Sequence, residues 1–73
     1  MSAAIVDVVY DFIRHFIEQK HYSPNYREIA TGCHIGYSGV GRYLDRLSAQ
    51  GRIEYEPGKA RSIRLVELAA EKE

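Results

Sequence analysis

The sequence has a single cysteine in 73 residues, which excludes an internal disulfide and suits a reducing cytoplasm. Long hydrophobic runs are also missing. The longest, residues 3–9, is interrupted by Asp7, so nothing here spans a membrane and no secretory leader is evident. Charge of one sign is absent in the total: ten basic and ten acidic side chains cancel to a formal net charge of zero. A strongly basic nucleic-acid protein would not look like this. Metal-ligand clusters are lacking too. Cys33 stands beside His34, but zinc needs three or four ligands at set spacings, so no metal and no other cofactor is expected. His15, His21 and His34 are scattered, and no Ser/His/Asp or Cys/His constellation accompanies them. The glycines in Gly36-Tyr37-Ser38-Gly39-Val40-Gly41 lack the strand–loop–helix frame and the lysine of a phosphate-binding loop. Enzymatic activity and a small-molecule substrate are therefore not expected.

Hydrophobic residues make up 45% of the chain, enough for one small domain near the lower size limit for a self-supporting core. Ile5, Val8, Val9, Phe12, Ile13, Phe16 and Ile17 recur at three and four residues and predict an amphipathic helix over 3–19, with Ser2 as its cap. Its polar residues include Asp7, Asp11 and Glu18, which suits a scaffold helix and not a membrane-surface one. Pro24 pushes Ser23 out of helical conformation. Asn25 and Glu28 then stand at the spacing of a capping box and open a short second helix that buries Ile29 and Ala30. Ala30 is small, as a close helix crossing requires.

Gly32 to Gly36 forms a turn whose apolar members, Cys33 and Ile35, plug the corner. A third helix over about 37–50 follows, with Val40, Leu44 and Leu47 as its buried stripe and Tyr43 beside them. At about 100° per residue, Ser38, Gly41, Arg42, Asp45 and Ala49 fall on the opposite side, flanked by Arg46. After Gly51 the apolar period changes to two. Ile53 and Tyr55 alternate with glutamates, Pro57-Gly58 makes a turn, and Ile63 and Leu65 alternate with Ser62 and Arg64. That pattern is a two-stranded hairpin, marginal alone, which must pack on the helices. The fold class is thus α+β, mainly α: three helices and a C-terminal β-hairpin wing, a winged helix-turn-helix. The domain is expected over 1–66, with 67–73, rich in Ala, Glu and Lys, as a tail or linker stub.

Three blocks carry a more specific signal: YDFIRHFIEQKHYSPNYREIA, RYLDRLSAQGRIE and EPGKARSIRLV. In this order they resemble the N-terminal DNA-binding domain of the LexA family of SOS-response repressors, over roughly residues 5–66. The resemblance implies a base-reading surface at the start of the third helix, around Ser38 with Arg42 a turn further on. It sets Asn25 and Arg27 near a phosphate at the entry helix, and Lys59 and Arg61 on a wing, residues 56–62, lying along the DNA backbone. Three features depart from the family. His34 stands where a glycine is usual, the turn is one residue shorter, and the third helix carries Gly39 and Gly41. The family's self-cleaving domain, with its Ser–Lys pair, is not among these residues, so no autoproteolysis is expected of them.

The residue chemistry supports the same roles independently. Arg42 has a planar fork matching O6 and N7 of guanine, and Ser38, Gly41 and Asp45 share its face. Tyr37 stands at a helix start, where phosphate is attracted. Arg27, Arg46, Lys59 and Arg61 suit phosphates. Asp45 repels phosphate, so it either pairs with Arg42 or Arg46 or accepts from a cytosine amine. Positive charge gathers in residues 52–66, where Arg52, Lys59, Arg61 and Arg64 outnumber Glu54 and Glu56. The expected partner is double-stranded DNA, as a two-fold related operator bound by a weak homodimer. The competing reading, prompted by the neutral charge, is a winged helix that binds proteins and not DNA.

Overall fold

The computed structural model describes residues 4–66, and Ser2 and the segment 67–73 lie outside the described residues. Apolar periodicity produces three helices: α1 (Ile5–Lys20), α2 (Tyr26–Cys33) and α3 (Tyr37–Ala49). They are followed by two short strands, β1 (Ile53–Glu54) and β2 (Arg64–Leu65), paired antiparallel with Ile53 opposite Leu65 and Glu54 opposite Arg64. The order and type of elements are those expected for a mainly helical winged helix-turn-helix.

α1 is longer at its end and shorter at its start than the periodicity implied. Its N-cap is Ala4, which makes no side-chain cap hydrogen bond. The apolar face is also divided. Val6, Val9 and Ile13 are buried, whereas Ile5 and Val8 remain 45% and 40% exposed. The apolar positions of α1 span about half of the helix circumference at 100° per residue, and only one stripe of that face can point into so small a core. The other stripe is covered piecemeal: Phe16 packs edge-on against Tyr22, ring centres 5.6 Å apart, and Phe12 lies beneath Gly32.

That last contact sets how closely α2 approaches α1. A Cβ built on Gly32 would sit 2.2 Å from the Phe12 ring, so only glycine fits. Ala30, assigned by sequence to the close crossing, is half-buried against the core. Ile29, Val40, Leu44 and Leu47 are fully buried and join Val9 and Ile13 in one cluster completed by Ile53 and Ile63 of the hairpin. Cys33 and Ile35 pack on its edge, as expected of corner plugs.

The ends of α2 and α3 use the same device. The Ile35 amide donates to the Ala30 carbonyl and the His34 amide to Thr31. After α3, the Arg52 amide donates to Leu47 and the Gly51 amide to Ser48. Both are Schellman closures, which require a left-handed residue after the helix. At α3 that residue is Gly51, with φ 77°; at α2 it is His34, with φ 58°. The side chain at His34 costs conformational energy that glycine would not. His34→Gly should therefore raise the urea midpoint by an amount equivalent to about 0.5–1 kcal/mol, with the m-value unchanged.

Gly32→Ala should destabilise the domain by about 1–3 kcal/mol through overpacking on Phe12. Phe12→Leu in the Gly32→Ala background should recover part of that loss. Additive losses in urea melts of the single and double variants would show that the two residues do not meet as described.

Candidate nucleic-acid interface

The start of α2 is held by its own sequence. The Asn25 side chain accepts from the Glu28 amide at 2.8 Å, and Glu28 accepts from the Asn25 amide at 2.9 Å, so the expected capping box is formed. The start of α3 is different. Gly36 is its N-cap and offers no side-chain acceptor; the Gly39 amide donates to the Gly36 carbonyl at 3.0 Å, which leaves the Tyr37 and Ser38 amides open to solvent or to an anion.

Between these two helix starts and the wing lies a cleft of about 340 Å³, lined by Asn25, Tyr26, Arg27, Tyr37, Gly58, Lys59 and Ala60. Four of the residues assigned to the DNA backbone from sequence thus meet in one place, although they come from three separate segments. Tyr37 is 59% exposed, and its ring lies 6.1 Å from that of Tyr26. Lys59 reaches the cleft because Glu56-Pro57-Gly58-Lys59 is a tight turn. The Lys59 amide donates to Glu56, and Gly58 takes φ 84°, which suits the third position of a Pro-Gly turn. The Ser62 hydroxyl closes the loop, donating to the Glu56 carbonyl and accepting from its amide.

On the exposed side of α3 lie Ser38, Arg42, Asp45 and Arg46, while Val40, Leu44 and Leu47 face the core. Arg42 points back toward the start of the helix. A Cβ on Gly39 would come within 3.8 Å of its guanidinium, as side-chain direction in a helix dictates. Gly41 is half-buried and faces inward, where an added Cβ would meet Tyr26 at 3.9 Å. Among the described residues, Arg27, Arg42 and Arg46 form no ion pair.

Four of the assigned residues are engaged within the protein: Asn25 in the capping box, Lys59 with Glu56, and Asp45 and Arg61 with groups on other elements. Asp45 does not pair with Arg42 or Arg46, as charge alone suggested; its carboxylate accepts from the Tyr55 hydroxyl. The physical reason is the hairpin, which places Tyr55, the residue after β1, at the side of α3. Tyr26 borders the same group, and burial, followed by the charge of Asp45, pushes its phenol above the ordinary value. Arg61 turns away from the cleft and grips Glu28 with both arms, at 3.0 and 3.2 Å. It also donates to the Ser23 carbonyl at 2.9 Å and stacks over Tyr22 at 5.0 Å. Of the other basic groups, Arg52 pairs with Asp7 and covers Tyr10, and Arg64 pairs with Glu54. Lys59 lies 3.3 Å from Glu56, with both side chains highly exposed, so this contact is weak and easily exchanged.

Ser23 was missed by sequence reading. Among the described residues it is the buried polar one, at 7% exposure. Its hydroxyl donates to the Pro24 carbonyl and accepts from the Ile63 amide. Its only sequence signal was its place before Pro24, which fixes an extended backbone.

The sequence model of the family described as LexA DNA binding domain matches residues 7–62. The LexA repressor of Clostridium kluyveri is 38% identical over 66 residues, covering 89% of this chain and 33% of its own length. The LexA repressor of Staphylococcus haemolyticus is 37% identical over 59 residues, 80% of this chain and 28% of its own. LexA repressor 2 of Geobacter sulfurreducens is 36% identical over 58 residues, 78% of this chain and 29% of its own. The chain therefore spans about a third of the length of these curated relatives.

The Glu28 clamp makes the wing sensitive to acid. The Asn25 amide, and then the Arg61 guanidinium, hold the Glu28 carboxyl below its ordinary value of 4.5. A depressed carboxylate stabilises the fold above the unfolded value, and that contribution is lost as pH falls through the folded one. In an amide NMR titration from about pH 7 to about pH 3, the signals of Arg61 to Ile63 should move only below about 4.5. Glu28→Gln should abolish that transition.

Proposed function

The chain belongs to the LexA DNA-binding domain family, and from that premise we propose that it binds double-stranded DNA sequence-specifically as a LexA-like transcriptional repressor. The observation that carries this reading is the division of its arginines. Those at the hairpin, Arg52, Arg61 and Arg64, are paired internally, whereas Arg27, Arg42 and Arg46 on α2 and α3 are unpaired among the described residues. An unpaired guanidinium next to an open helix start is what a polyanion binds best.

In this reading α3 enters the major groove, with Ser38 and Arg42 against base edges. Gly41 adds no bulk to the helix where it turns from groove to Tyr26. Asn25, Arg27, Tyr37 and Lys59 surround a phosphate in the cleft, Arg46 contacts the backbone further along α3, and the wing, residues 56–62, follows the sugar–phosphate chain. Arg61 acts indirectly by fixing the wing to α2, and Asp45 is given no base contact. One such domain makes few contacts, so a two-fold related operator and a weak homodimer on DNA supply the remaining affinity.

Selection of bound sequences from a random duplex pool should return a motif with two symmetric half-sites. No measurable binding at low ionic strength would remove the DNA reading in favour of a protein-interaction module. Arg42→Ala should cost about 1–3 kcal/mol on the selected duplex and flatten preference at one base pair of each half-site. Lys59→Ala should instead weaken all duplexes alike and lower the slope of log affinity against log salt by about 1.

A further inference from the structure

Asp45 poses a problem for the reading above. It stands three residues after Arg42 on the exposed face of α3, a spacing at which opposite charges on a helix attract. A carboxylate paired with Arg42 would compete directly with the DNA for its guanidinium. No such pair forms among the described residues. The carboxylate is taken instead by Tyr55, a half-buried residue just after β1 whose hydroxyl donates to it. The Tyr55 ring packs on the core, so the hydroxyl is delivered from a fixed direction. Burial, reinforced by the neighbouring carboxylate, raises the Tyr55 phenol above its ordinary value, so at neutral pH the hydroxyl keeps its proton and donates.

Resting on the DNA-binding reading, we propose that Tyr55 is a positioning residue for base recognition: it holds Asp45 on the wing side of α3 and so keeps Arg42 free to read DNA. The hairpin thereby affects specificity without touching a base. A hydrogen bond from a neutral phenol to a carboxylate satisfies the acid without spending a cation on it. An arginine in place of Tyr55 would satisfy it as well, but would add a charge at the groove edge that binds any sequence.

The test uses the full chain and a labelled duplex carrying the sequence selected from the random pool. Tyr55→Phe keeps the ring and loses the donor. It should weaken specific binding three- to tenfold and shift the Arg42 Nε–Hε signal in the NMR spectrum of the free protein, as Arg42 engages Asp45. Asp45→Ala breaks the same hydrogen bond from the other end but removes the competing carboxylate, so it should tighten binding about twofold. The double variant should bind like Asp45→Ala. In an Arg42→Ala background, Tyr55→Phe should have no effect on binding.

A merely structural junction predicts the opposite pattern: Tyr55→Phe and Asp45→Ala would both weaken binding, whether or not Arg42 is present. That result would overturn the proposal, as would parent-like binding by Tyr55→Phe. If Tyr55→Phe does not fold, Asp45→Ala decides alone, since any loss of affinity contradicts the competition argued here. A parent chain that binds no duplex would remove the DNA reading itself, an outcome distinct from a binding parent whose Tyr55→Phe variant is unaltered.

Discussion

The wing depends on the corner between α1 and α2. Its two strands are two residues long each, far too little to hold a hairpin in place by themselves. Ser23 receives the Ile63 amide, its carbonyl receives Arg61, and Glu28 receives both arms of the same guanidinium. Arg61 takes a left-handed backbone, φ 53°, to do so, an unusual conformation that surrounding contacts must maintain. Because Glu28 also caps α2, the residue that starts the helix-turn-helix is the one that anchors the wing. The relation of wing to α2, and hence the shape of the cleft between them, rests on Glu28 and Ser23 together.

Neutral net charge and nucleic-acid binding are compatible here because the charges are not distributed at random. Acidic residues cancel the cations that hold the fold: Asp7 with Arg52, Glu28 with Arg61, Glu54 with Arg64. Asp45, the acid on the exposed face of α3, is satisfied by a tyrosine and not by an arginine. Among the described residues the arginines left without an ion pair, Arg27, Arg42 and Arg46, lie on α2 and α3. An arginine without an internal partner attracts phosphate at short range, while a net charge of zero gives little long-range pull.

Much of this was legible in the residues. The capping box at Asn25 and Glu28, the buried stripe of Val40, Leu44 and Leu47, and the Pro57-Gly58 turn are local patterns whose chemistry acts within four residues. The face of α1 was read less well: Val6 belonged to the core and Ile5 and Val8 did not, because the choice between two adjacent apolar stripes is made by the neighbouring helices. Gly32 read as turn punctuation, yet its reason is the Phe12 ring twenty residues away in sequence. Arg61 and Asp45 carried the right charges for the roles assigned to them, but their partners, Glu28 and Tyr55, come from other elements.

By itself, then, the sequence determined the kinds and order of elements, the buried stripe of α3 and the set of cations available to a polyanion, since periodicity, capping and charge are properties of near neighbours along the chain. Only the tertiary structure decided which of those cations are free. An ion pair or hydrogen bond forms within about 3 Å in space, and the fold alone brings Arg61 to Glu28 and Tyr55 to Asp45 while leaving Arg27, Arg42 and Arg46 without a partner among the described residues.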